Sequence, residues 1–269
     1  MTIEKRMKEY YENIFRHKLI RRSYTIIRID GKAFHTYTKN LTRPFDDTLI
    51  NDINNTALSL CRCIQGAKFA YMQSDEISIL LTDFDTLETA AWFDGNIQKM
   101  VSVSASMATA FFNKRRKEDN VALFDSRVFQ ITNEIEVANY FIWRQMDCVR
   151  NSIQSVAQSM FSHKELNGKS TEELQEMMFA KGTNWNNLAP GYKRGRIVHR
   201  SVGRRFEILE APSFTKEKEF LKKVIPSPYE EIIIQAKIEE NQYWINKQTI
   251  PNDIKFRNRQ KELNDSMSK

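Results

Sequence analysis

Between Tyr24 and Thr132 the hydrophobic pattern of this chain marks out six successive elements, and their order limits the folds open to it. "YTIIRID" (Tyr24–Asp30) is a β-branched run that reads as a buried strand. Leu49, Ile53, Ala57, Leu60 and Ile64 then recur at helical steps from about Asp46. "AKFAYMQ" and "EISILLT" follow as two short strands joined at Ser74–Asp75, the layout of a hairpin. A second helix is expected over about 90–113, its stripe being Ile97, Val101, Ser104, Ala108 and Phe111. "SRVFQIT" closes the series as a strand. Strand, helix, strand, strand, helix, strand is the split βαβ order of ferredoxin-like sheets.

The expected fold is therefore α+β: a ferredoxin-like sheet with flanking helices and a mostly helical C-terminal extension. Polymerase palms share this architecture, but so do many unrelated activities. The expected division is a palm-like core over 1–135, led by a basic helix near 4–20, and a helical, loop-rich extension over 136–269 packing on it. Asn133 and Glu136 can open the first helix of that extension, which runs to about Phe161.

No apolar run reaches 18 residues, and the charged N-terminus has no apolar stretch for a signal peptide. Cys61, Cys63 and Cys148 are too few for a disulfide framework, which suits a reducing, cytoplasmic location. The formal charge is +7, and its placement says more than its size. Residues 1–23 hold seven Lys/Arg against three Glu, and residues 193–223 hold ten against four. Two basic clusters suit polyphosphate, most simply nucleic acid; a solvated surface reads equally well from charge alone.

Asp30 ends the first strand and Asp75 lies in the hairpin turn. The split βαβ order makes those strands neighbours, so the two carboxylates can share one sheet edge. A carboxylate pair offers Mg²⁺ hard oxygen ligands and leaves positions for phosphate and water. Acidic residues are also common at strand ends, and "SDE" is a good turn sequence. Glu76 stands next to the pair. "DGKAFH" lacks the spacing of a P-loop. Backbone N–H groups after a Gly31 turn can still cradle an anion, with Lys32, His35 and Arg43 adding charge or hydrogen bonds. His35 taken alone would more often be a structural histidine.

"RIDGKAFH", "QSDE", "FDSRV" and "WRQMDC", in this order and spacing, resemble the tRNA(His) guanylyltransferase superfamily from about Ile26 to "YKRG" at Tyr192–Gly195. The resemblance implies a reverse polymerase that adds nucleotides to the 5′ end of RNA with two Mg²⁺ ions, using ATP, GTP and other nucleoside triphosphates. Asp30, Asp75 and the Gly31 carbonyl would hold the metals, and Asp30, Asp75 and Glu76 would be catalytic. Gly31, Lys32, Ala33, Phe34 and His35 would hold the triphosphate, with Arg43 and Ser74 near the activating nucleotide. A homotetramer, a dimer of dimers, is also implied, with tRNA as partner and no membrane.

Eukaryotic members carry a "HINN"-type segment where this chain reads "VRNS" (Val149–Ser152). That departure, with the basic N-terminal lead, resembles the Thg-like branch and implies templated 5′-end repair of tRNA rather than guanosine addition. Arg144, Asp147 and Asn151 form a polar stripe on one helix, readable as a hydrogen-bond network or as nucleotide and RNA positioning. For RNA contact the candidates are Arg144, Asn151, Lys181, Lys193, Arg194 and Arg196, and Trp185 could stack on a base or simply pack. Other readings are tRNA(His) guanosine addition, another palm-type transferase or cyclase, and a non-catalytic RNA-binding module.

Overall fold

In the computed structural model the described residues are 1–86, 88–116, 120–200 and 205–227. The chain divides into two compact units, Met1–Pro226 and Ser227–Lys269. All elements below belong to the first. The expected polar helices of the last forty residues lie outside the described residues. No described helix is long and apolar enough to cross a membrane.

Among the described residues six strands form one antiparallel sheet: β1 (Tyr24–Gly31), β2 (Ala67–Gln73), β3 (Glu76–Leu81), β4 (Phe124–Ile131), β5 (Arg196–Arg200) and β6 (Phe206–Glu210). Their order is β4-β1-β3-β2-β5-β6, with β1–β4 giving the expected ferredoxin-like set. β5 and β6 were not expected from the sequence, and they extend the sheet beyond β2. "RIVHR" is only five residues long and carries charge at both ends, so its strand character comes from pairing Phe69–Met72 of β2 rather than from its own pattern. Residues 136–226 thus contribute to the same sheet as the first half.

The helices are α1 (Ile3–Met7), α2 (Phe34–Tyr37), α3 (Asp47–Cys63), α4 (Ile97–Arg116), α5 (Glu134–Met160), α6 (His163–Leu166), α7 (Thr171–Ala180), α8 (Pro190–Arg194) and α9 (Lys218–Val224). The Asp46 carboxylate caps α3 by accepting from Leu49 N at 2.8 Å. The Asn133 side chain caps α5 by accepting from Glu136 N at 2.9 Å. Strand alternation sends Ile27, Ile29, Ile77 and Ile79 into one core beneath α3 and α4. Tyr24, Ile26, Phe69 and Leu80 enter a second core with Val137 and Phe141 of α5 on the opposite face. The C-terminal half of α5 leaves the sheet and packs Ile153, Val156 and Ala157 on α7.

Two boundaries differ from expectation. The N-terminal α-helix stops at Met7; a wider π-helical turn follows over Lys8–Glu12 and a tighter 3-10 turn over Asn13–Phe15. Ile3, Met7, Tyr10, Tyr11, Ile14 and Phe15 are all exposed, so no packing holds a longer helix together. α4 begins only at Ile97 because Phe93, Asp94 and Gly95 all take positive φ. Its buried stripe is Met100, Ser104, Ala108 and Phe112, sharing Ser104 and Ala108 with the expected one.

Candidate active site

β1 pairs with β3 through Ile27↔Ile79, Arg28↔Ser78 and Ile29↔Ile77. This register carries the end of β1 toward the turn between β2 and β3. Asp30 stands at that end, and Asp75 stands in the two-residue turn that Ser74 enters at φ +49°. Both are partly buried. Burial holds the Asp30 carboxyl above its usual range, and the Glu76 charge adds to this. Burial, followed by the charge of Asp30, pushes Asp75 up to about 6. Burial disfavours the charged form of both carboxylates, and the Asp30 charge adds to this at Asp75, so together they form a site that favours a cation.

Among the described residues no three His, Cys, Asp or Glu side chains converge on a metal position. The donor set is a carboxylate pair beside the backbone at Gly31. That fits Mg²⁺, which takes one or two carboxylates and completes its shell with phosphate oxygens and water.

After Asp30 the chain is folded tightly by its own aromatic packing. A Cβ on Gly31 would lie 2.2 Å from the Phe34 ring, so glycine is needed for this approach. Ala33 is in the left-handed region at φ 55°. Phe34 is buried against Tyr37, Phe112 and Phe124. It therefore anchors the loop in the core and does not itself face a nucleotide. Lys32, Ala33, His35 and Arg43 are exposed around it. His35 Nε2 is 3.0 Å from Thr36 Oγ1.

Glu76 is placed differently from Asp30 and Asp75. Arg144 forks onto it, Nε to Oε1 at 2.8 Å and Nη2 to Oε2 at 2.6 Å. Arg28 reaches Oε2 at 2.8 Å, and Ser78 Oγ donates to Oε1 at 3.2 Å. With both oxygens engaged and the residue 5% exposed, Glu76 is not arranged as a catalytic group that meets substrate. The same contacts correct the expectation for Arg144, which is 4% exposed and cannot present its charge to RNA.

The other expected RNA contacts divide. Asn151 is exposed and lines a cavity of about 350 Å³ with Asp46, Ser74, Ser152, Tyr192 and Arg196. Lys181 donates to Met160 O at 3.2 Å, at the end of α5, and lies 4.0 Å from the Phe161 ring centre. Lys193 donates to Asn186 O at 2.6 Å, Arg194 to Ala211 O at 3.4 Å, and Arg196 to Gly191 O at 3.1 Å. Trp185 donates from Nε1 to Ser152 Oγ at 3.0 Å and packs with the α5–α7 core. The sequence reading missed Asp46 and Tyr192 as cavity walls. Asp46 carried a helix-cap signal, and Tyr192 lies in a stretch read as loop.

A family model described as "Thg1: tRNAHis guanylyltransferase" matches residues 4–132. A solved structure titled as a bacterial tRNA(His) guanylyltransferase (Thg1)-like protein in complex with ATP is 44% identical. It aligns with TM-score 0.79 over 84% of this chain and 99% of that one. A structure titled as the same kind of protein with GTP is 41% identical, with TM-score 0.71 and the same coverage. The probable tRNA(His) guanylyltransferase of Drosophila melanogaster is 27% identical over 77% of this chain and 82% of its own. The chain belongs to the Thg1 family of tRNA(His) guanylyltransferases and Thg1-like proteins, and it is a nucleotidyltransferase.

Proposed function

We propose that this protein adds nucleotides in the 3′→5′ direction to the 5′ end of tRNA, copying the opposite strand to repair truncated ends. The observation that carries the reading is that Asp30 ends β1 and Asp75 stands in the β2–β3 turn, at adjoining ends of paired strands, where burial raises both carboxyls. "VRNS" at Val149–Ser152, in place of the histidine-bearing segment of the eukaryotic enzymes, favours repair over guanosine addition.

Asp30, Asp75 and the Gly31 carbonyl would hold Mg²⁺, which when bound neutralises charge developing on phosphate oxygens and lowers the pKa of an attacking hydroxyl. An oxygen of the RNA 5′-monophosphate attacks the α-phosphorus of ATP or GTP, and pyrophosphate leaves. The 3′-hydroxyl of an incoming nucleoside triphosphate then attacks the activated 5′ phosphorus, and the nucleoside monophosphate leaves. The chain's own part is placement: the loop after Asp30 leaves Lys32 and His35 at the surface beside the pair, where they meet triphosphate oxygens. Arg43 and Ser74, both exposed, would meet the activating nucleotide. The homotetramer that the resemblance implies would cover apolar side chains exposed over residues 1–20.

The test uses 5′-monophosphorylated tRNA lacking its first nucleotide, with ATP, Mg²⁺ and all four nucleoside triphosphates. Templated growth at the 5′ end is expected. Guanosine addition to full-length histidine tRNA alone would overturn repair and leave the guanylyltransferase activity.

A further inference from the structure

We infer that Arg144 is a positioning residue for the carboxylate pair, acting through Glu76 and Arg28. The inference rests on the reading of Asp30 as a metal-holding carboxylate.

An unbroken line of charged contacts runs from the surface to Asp30. Arg150, exposed, pairs with Asp147. Asp147 accepts from Arg144 Nη2 at 2.8 Å, and the Arg144 fork clasps Glu76 from α5. Glu76 holds Arg28 Nη2 at 2.8 Å, and the same nitrogen stands 3.5 Å from Asp30 Oδ2. Arg28 is held loosely by everything else. Its Nε is buried without a hydrogen-bond partner, and its Nη2 sits between Glu76 at 2.8 Å and Asp30 at 3.5 Å, closer to Glu76.

Glu76 is fixed in turn by the fork. Two parallel N–H···O bonds set both the distance and the plane of the carboxylate, as a single ammonium would not. A structural brace alone would need only that α5 be tied to β3, a task already shared by the 2.7 Å contact between Ser78 Oγ and Tyr140 Oη. The fork does something further: it neutralises Glu76 so that Arg28 stays between Glu76 and Asp30. Remove it, and Glu76 is left as a buried charge with Arg28 as its sole cationic partner, drawn off Asp30.

The test is a double-mutant cycle on the full chain with Arg144→Met, Glu76→Gln and both together. Mn²⁺ binding is read by electron paramagnetic resonance in the presence of ATP, beside kcat and KM for 5′ addition. Each single change moves Arg28 from its place between the two carboxylates, toward Glu76 in Arg144→Met and toward Asp30 in Glu76→Gln, so each weakens Mn²⁺ binding about tenfold. The double change again releases Arg28 onto Asp30 and weakens binding no further than Glu76→Gln. kcat falls with it, while KM for RNA stays within about twofold. Wild-type Mn²⁺ affinity in Arg144→Met, or additive losses, would overturn the proposal. Should Arg144→Met fail to fold, Arg144→Lys keeps the charge without the fork. Its Mn²⁺ affinity is then expected between wild type and Glu76→Gln, and wild-type affinity would overturn the role. A wild-type protein that binds Mn²⁺ but extends no RNA would defeat the functional reading, and the Mn²⁺ cycle would still decide Arg144.

Discussion

Asp75 shows how a functional group burdens a fold. Its carboxyl is raised from 3.8 to about 6, chiefly by burial and then by Asp30. The folded protein therefore binds this proton more tightly than the unfolded chain does. The associated stability is present below about pH 4 and is lost as pH rises through about 6. In EDTA at pH 7.5, Asp75→Asn is expected to raise the melting temperature by a few degrees, and the gap to wild type should close by pH 4. The same substitution removes a carboxylate from the pair, so 5′ addition should be lost. Asp30→Ala and Asp75→Ala should each abolish addition while leaving Mg²⁺-free RNA binding intact, measured by filter binding; near-normal addition by either would refute the pair. Cysteines give an independent check on burial. Burial pushes Cys61 up to about 12 and Cys148 to about 11, while Cys63 is exposed. Iodoacetamide at pH 8 should label Cys63 first, and Cys63→Ser should remove the fast phase of labelling.

The elements that carry the pair were readable because their patterns are strong. Ile26, Ile27 and Ile29 announce β1, and the Ser74–Asp75 turn separates two runs whose alternation is plain. What could not be read was long-range partnership. Nothing in the spacing of Arg144 tells that Glu76, 68 residues earlier, will accept its fork. The same limit hid the internal bonds of Lys181 and Arg194, which look on the page like surface charges. β5 escaped because its neighbour β2 supplies its reason to be a strand. The turn into β5 depends on Gly195, at φ +79°, where a Cβ would lie 2.4 Å from Met72 O. Gly195→Ala is expected to destabilise the protein by roughly 2–4 kcal/mol, measured by urea unfolding, because both the backbone angle and the contact are unfavourable.

The whole chain carries a formal charge of +7, and binding to tRNA should weaken steeply with salt. A log–log plot of affinity against salt is expected to be linear, with about tenfold or more lost between 50 and 200 mM. The six-strand order has a consequence for how the protein comes apart. β4 and β6 form the two margins of the sheet, while β1 and β3 lie inside, each hydrogen-bonded to a strand on both sides. Amide protons of Ile27, Ile29, Ile77 and Ile79 should be among the last to exchange with deuterium, well after those of β6. Fraying at either margin then leaves Asp30 and Asp75 in register, so the chemistry should outlast the first openings of the sheet and disappear only with its centre.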